Sequence, residues 1–153
     1  MKTLGNNIKI LVIDDDQSIR ETFAVILQSK GYSVDLATNG YEGIEKSEQT
    51  HYSIALIDIR LPDMEGTTLL SKLKERIPKT RKIMVTGFPS LNNAVTALNQ
   101  KADAYIIKPV EIDQLLATIK DQLRIQDEEK SFSEQKVIAY IETRIKEIDE
   151  KLK

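Results

Sequence analysis

Apolar residues cluster in five short runs separated by longer amphipathic stretches: residues 10–13 (ILVI), the weaker 34–36 (VDL), 54–57 (IALI), 83–85 (IMV) and 104–107 (AYII). Most of these runs are continuously apolar rather than alternating. That suits strands covered on both faces, as in a parallel sheet. Between them, apolar positions recur every three or four residues, the spacing of one helix face. Ile19, Phe23, Ile26 and Leu27 share such a face. Ser18 and Glu21 are spaced as a capping box at its start, and Gly31 stands where a helix end favours glycine. A weaker helical pattern covers residues 40–49. Leu69, Leu70, Leu73 and Ile77 form the next stripe, closed by Pro78. Ala94, Val95, Ala97 and Leu98 form a small-residue stripe, and Ile112, Leu115, Leu116, Ile119 and Leu123 a stronger one. Strand and helix alternate throughout, which predicts an α/β domain doubly wound about a parallel sheet.

The pattern changes after Gln126. A charged run, DEEK, precedes Ser131 and Glu134, spaced as a second capping box. A further helix then carries Ile138, Ile141, Ile145, Ile148 and Leu152, whose spacings of three, four, three and four define a heptad seam. Residues 1–126 therefore read as one domain and 127–153 as a C-terminal helical extension. That extension either folds back on its own domain or pairs with a second copy or a partner. Two heptads form only a marginal helix in isolation, so the seam needs a surface.

Composition narrows the field. The 153 residues include no cysteine, which removes disulfides, thiolate metal sites and thiol nucleophiles. The 22 basic and 24 acidic side chains leave a net charge of −2 and no basic stripe, so no nucleic-acid partner is expected. The opening MKTLGNN has no apolar signal region, and no stretch approaches a membrane span. The expectation is a cytoplasmic protein with no membrane partner, too short after residue 126 for a DNA-binding output domain.

Chemistry concentrates where the apolar runs end. The first ends in Asp14-Asp15-Asp16, the third in Asp58, the fourth in Thr86 and the fifth in Lys108. Open parallel sheets bind ligands beyond the carboxyl ends of their strands, at the point where strand order reverses. In the order 2-1-3-4-5, the first and third strands are neighbours there. Asp14, Asp15 and Asp58 then converge, with Thr86 and Lys108 to one side. Such a group of carboxylates suits a hard cation, Mg2+, with water and phosphate oxygens completing the shell. Asp58 is placed to act as a nucleophile toward a phosphoryl group. Asp16 reads better as a helix N-cap or a solvated acid than as a ligand. His51, without a histidine or cysteine partner nearby in sequence, reads as a surface residue, and Phe23 and Phe132 as packing residues.

These motifs resemble those of the two-component response-regulator receiver domain, the CheY-like superfamily, over roughly residues 8–125. ILVIDDDQ carries the acidic pair Asp14 and Asp15, and LIDIRLPDMEG carries the phosphoacceptor Asp58 with its loop through Pro62, Asp63 and Gly66. MVTG carries the switch Thr86, and YIIKP carries Tyr105, Lys108 and Pro109. The resemblance implies a flavodoxin-like fold and a response regulator of a two-component phosphorelay. A histidine kinase or histidine phosphotransfer protein would phosphorylate Asp58, with Asp15, Asp58 and the Arg60 backbone carbonyl on Mg2+ and Asp14 acting largely through water. Lys108 would pair with the phosphoryl group, Thr86 would move inward and Tyr105 would rotate in behind it. The Lys108–Pro109 bond would be cis. Arg60 and Phe88 would tune the lifetime of the phosphate. Output would pass through contacts with an output protein, or through a homodimer formed by the fourth helix, fifth strand and fifth helix; a homodimer through the C-terminal helix is suggested instead by its isoleucine seam. The protein would assist its own phosphorylation and dephosphorylation without being a multiple-turnover enzyme. A phosphohydrolase of the haloacid-dehalogenase type shares the D-x-D spacing, but it would leave Asp58 unexplained and needs further acids after a later strand, where the fourth run here ends in Thr86-Gly87-Phe88. A third reading keeps the fold as a scaffold that ignores phosphate.

Overall fold

The computed structural model describes residues 8–87, 90, 95–97, 99 and 101–152. The opening MKTLGNN, together with Phe88, Ala94 and Leu98, lies outside the described residues. The elements follow in the order β1 (Lys9–Ile13), α1 (Gln17–Ser29), β2 (Ser33–Ala37), α2 (Gly40–Gln49), β3 (Ile54–Ile57), α3 (Gly66–Leu70), β4 (Arg81–Thr86), β5 (Ala104–Ile107) and α4 (Ile112–Leu152). All strand pairs are parallel and the sheet order is 2-1-3-4-5. This is the flavodoxin-like doubly wound fold that the apolar runs predict, with a long C-terminal helix added.

Two apolar layers cover the sheet, because successive strand side chains point to opposite faces. Leu11, Ile13, Ala55, Ile57 and Met84 pack with Leu69, Leu70, Leu73 and Ala97 on one side. Ile10, Val12, Ile54, Leu56, Ile83, Val85 and Ile106 pack with Phe23, Leu27, Leu115 and Ile119 on the other. The central strands are buried on both faces, which is why their sequences run apolar without alternation.

Three local features depart from the sequence expectations. The N-cap of α1 is Asp16, as its reading as a cap expected, and its Oδ1 accepts from Ser18 N at 2.9 Å and Ile19 N at 3.3 Å; the Ser18–Glu21 capping box therefore does not form. An acid two residues before Ser18 captures the free N–H groups first. The helix does end as expected: Gly31, at φ 92°, donates to Gln28 O, and Tyr32 donates to Leu27 O. The third helix stops at Leu70. Lys74 N then bonds to Ser47 Oγ and Arg76 to the carbonyls of Ser47 and Glu48, so contacts with α2 replace further helical turns. Ile77, expected on the buried stripe, is 90% exposed.

The break expected at Ser131 is also absent. The helix that begins at Ile112 continues without interruption to Leu152, and residues 127–152 are all exposed. The extension therefore projects from the domain instead of folding back on it. Phe132, expected as a packing residue, lies on this exposed helix with the Lys136 ammonium over its ring.

Candidate functional site

The carboxyl ends of β1, β3, β4 and β5 meet at one edge of the sheet. Asp14 and Asp58 follow β1 and β3, whose pairing sets Ile13 beside Ile57, so the two acids emerge side by side. Ligand oxygens of Asp14, Asp15 and Asp58 lie within 4.8 Å of one another. Asp14 and Asp58 are buried and Asp15 is exposed. The Lys108 ammonium lies 2.9 Å from Asp14 Oδ2 and 3.6 Å from Asp58 Oδ2. Thr86, fully buried, ends β4, and its carbonyl accepts from Lys108 N at 2.8 Å. The Lys108–Pro109 bond is cis, as is Ile77–Pro78.

Charge decides what this group wants. Three carboxylates face one ammonium. Two unit charges at 4.8 Å repel by about 3.5 kcal/mol at an effective dielectric near 20. Burial, and then the Asp14 charge, pushes the Asp58 carboxyl above its ordinary range, against the opposing pull of Lys108 and the Arg60 N–H. Asp58 Oδ1 is buried and has no hydrogen-bond partner among the described residues. Buried acceptors are normally satisfied, so such an atom calls for a bound cation or a reacting group. The donor set is all oxygen, which matches a hard divalent cation such as Mg2+. The residues fit the ion that the resemblance implies.

The surrounding backbone is held in ways that no short-range pattern announced. The Arg20 guanidinium donates to Asp14 O at 2.7 Å, and Asp16 N donates to Asp14 Oδ1 at 2.9 Å, so the acidic turn is fixed from α1. Both Asp63 oxygens cap α2 from the loop after β3, accepting from Gly40 N and Tyr41 N at 2.9 Å. Arg60 and Glu65 form a bridge, and Gly66 lies against the Asp58 carbonyl so closely that an added Cβ would stand 2.1 Å from that oxygen. Conformational freedom explains Gly31, but contact explains Gly66. The only sequence cue was the glycine closing LIDIRLPDMEG.

Tyr105 differs from the expected picture. Its ring packs against the core on the α3 side, and its hydroxyl is already enclosed, without a hydrogen-bond partner among the described residues; burial raises its pKa. Arg60 lies exposed at the rim of the site. His51 is half-buried, bonded to Pro78 O at 2.8 Å, and stands apart from the acidic group. Of the small-residue stripe between β4 and β5, the structure describes residues 95–97, where Val95 is exposed and Ala97 buried.

A parallel 2-1-3-4-5 sheet with acids, a threonine and a lysine at its strand ends defines the receiver class. The family profile of the response regulator receiver domain matches residues 10–120, and the chain belongs to that family. It is thus a receiver domain of two-component signalling, a family in which phosphorylation on aspartate and Mg2+ at an acidic pocket are typical, and whose members interact with histidine kinases and output partners. It is 47% identical to a CheY-like response regulator receiver domain protein from Methanospirillum hungatei JF-1, at a TM-score of 0.77, covering 81% of this chain and 99% of that one. It is 39% identical to the transcriptional regulatory protein DltR of Streptococcus agalactiae, over 76% of this chain and 52% of the relative. It is 36% identical to the transcriptional regulatory protein YkoG of Bacillus subtilis, over 75% of this chain and 50% of the relative. The chain thus spans about half the length of these curated relatives. Their names tie them to transcription, which runs against the expectation of a protein with no nucleic-acid partner. Among the described residues no helix is long and apolar enough to cross a membrane.

Proposed function

We propose that Asp58 is the phosphoacceptor of a response regulator that is charged by a histidine kinase or a histidine phosphotransfer protein. The observation that carries this is the buried, unpartnered Asp58 Oδ1, set beside two further acids and the Lys108 ammonium. An Asp58 carboxylate oxygen attacks phosphorus, the P–N bond of the donor phosphohistidine breaks, and the imidazole leaves with the electron pair. An acyl phosphate forms. Mg2+, held by Asp14, Asp15, Asp58 and the Arg60 backbone carbonyl, would neutralise charge on the transferring oxygens. Lys108 then leaves its contact with Asp14 for a phosphoryl oxygen, a stronger charge-assisted bond. The buried Thr86 hydroxyl turns to the same group. Tyr105, already enclosed, follows into the space behind Thr86 and its hydroxyl gains a partner there.

In physical terms this is a two-state domain whose second state is stabilised by new contacts to the phosphoryl group. Hydrolysis reverses it: water attacks phosphorus and the Asp58 carboxylate departs. The exposed Arg60 screens that attack, so Arg60→Ala shortens the lifetime of the phospho-form. The chain assists both steps without turning over small substrates, and it works in the cytoplasm, where its phosphodonors reside. Its output passes through protein contacts.

Intact mass after incubation with a small phosphodonor is the direct test. One phosphate should add, require Mg2+ and vanish in Asp58→Ala. No adduct on a folded protein refutes the reading, and repeated donor turnover without an adduct restores the phosphohydrolase alternative.

A further inference from the structure

The projecting half of α4 presents Ile138, Ile141, Ile145, Ile148 and Leu152 on one side, each 49% or more exposed. Five large apolar side chains left in water on one seam are costly, and nothing in the described chain covers them. The charges flanking the seam identify what does. With Ile138, Ile145 and Leu152 at position a and Ile141 and Ile148 at d, the e positions are Glu142 and Asp149 and the g positions Arg144 and Lys151. Every charged e residue is acidic and every charged g residue is basic. In a parallel, in-register pair, g faces the e of the next heptad on the other helix, so Arg144 meets Asp149 of a second copy. In an antiparallel pair e faces e and g faces g, which sets acid against acid and base against base. The sequence therefore complements itself in one orientation and repels itself in the other.

We propose that the helix beyond Gln126 self-associates with further copies of this chain, parallel and in register, with the isoleucine seam inside. Isoleucine at both a and d, without leucine at d, favours three helices over two. The root of the helix is already fixed: Gln126 donates to Ser53 O and Lys79 O, and Glu129 pairs with Arg81. From Glu129 to Ile138 the helix rises about 14 Å, which gives the receiver domains room to sit at one end of the bundle. The surface pair Arg144–Glu147, at 2.9 Å within one helix, is exposed on both sides and yields readily to a partner acid. The association rests on the tail alone and does not depend on phosphoryl chemistry.

The test uses the full chain. Sedimentation equilibrium should give a mass of two or three chains, three being expected, and a monomer at every concentration overturns the proposal. The double variant Ile141→Asn, Ile148→Asn should be monomeric while keeping phosphodonor-dependent mass gain, which shows that the receiver still folds. Orientation is read separately, because the native chain has no cysteine. Leu152→Cys alone and Ile138→Cys alone should each form covalent dimers on mild oxidation. If only a mixture of the two variants cross-links, the helices are antiparallel and the proposal fails. Reversing Glu142 and Asp149 to lysine should dissociate the assembly, and adding Arg144→Glu and Lys151→Glu should restore it. Association that ignores both reversals also overturns the charge argument.

Discussion

Gly66→Ala sets two well-defined effects against each other. Gly66 is the first residue of α3, and its φ is not in the left-handed region, so alanine can adopt the same backbone. Helix propensity alone then favours alanine, by up to about 1 kcal/mol. Contact argues the opposite. The new Cβ would lie 2.1 Å from Asp58 O and 2.9 Å from both Asp58 C and Ile59 Cα, where ordinary contact begins at 3.4 Å. Backbone must therefore move by more than an ångström. Little of that movement can fall on β3, since Asp58 N bonds to Ile13 O at 3.0 Å and the strand is paired on both sides. It falls on the β3–α3 loop, which breaks the Gly66 N to Ile59 O bond and displaces Arg60. Overpacking of this kind costs about 1–3 kcal/mol, and the first position of a helix realises little of the interior propensity gain, so the loss dominates. Urea denaturation should show that loss, or a fall in Tm of roughly 2–12 °C for a chain of this size. Phosphodonor-dependent mass gain at Asp58 should slow as well. Gly87→Ala is the control, because its nearest neighbours would be Lys108 carbons at 3.8 Å, ordinary contact. If Gly66→Ala is as stable as the parent and takes up phosphate at the same rate, the close approach does not position the site.

Other consequences of the geometry are as accessible. Saturating Mg2+ at a hundred times its dissociation constant should raise unfolding stability by about 2.7 kcal/mol, and Asp15→Asn should remove most of that gain in a denaturation series with and without the ion. In metal-free buffer the raised Asp58 carboxyl makes the folded state bind its proton more tightly than the unfolded state does. Its contribution is therefore neutral below the unfolded value and becomes destabilising as pH rises through the folded one. Asp58→Asn should gain stability over that range, and identical pH profiles for the two proteins would contradict it. Asp16→Ala removes the cap of α1 and should cost about 0.5–2 kcal/mol in denaturation while leaving phosphate uptake unchanged.

The sheet and the acidic edge were legible in the sequence because both are written locally. A strand buried on two faces must be continuously apolar, and the residue after its last apolar position must sit at the carboxyl edge. That logic located Asp14, Asp58, Thr86 and Lys108 without any structural information. Among the three successive aspartates it also set Asp16 apart as a helix cap, but it did not separate Asp14 from Asp15. Asp14 turns inward to Lys108, Asp15 faces solvent beside the other acids, and Asp16 caps a helix. Spacing alone does not separate the first two; their burial does, Asp14 lying inside and Asp15 in solvent. Long-range ties were likewise out of reach. No local cue shows that Asp63 caps α2, or that α3 gives way to contacts with Ser47 and Glu48.

The C-terminal helix shows why a polar run can mislead. DEEK followed by Ser131 and Glu134 carries every mark of a helix boundary, yet the helix passes straight through. Two glutamines on its apolar side decide this. Gln122 accepts from Arg81 Nε at 2.8 Å, and Gln126 satisfies the carbonyls of Ser53 and Lys79, the first just before β3 and the second two residues before β4. These bonds clamp the helix up to the residue that precedes the charged run and fix its direction there. Asp127, Glu128 and Lys130 are helix formers or tolerated neighbours, and the Arg124 side chain pairs with both Asp121 and Glu128 across the same stretch. With the direction set and the interior bonds of the helix intact, continuation costs less than a break would. The extension therefore leaves the receiver at a defined angle, and whatever covers its isoleucine seam must approach from a direction that the receiver itself has chosen.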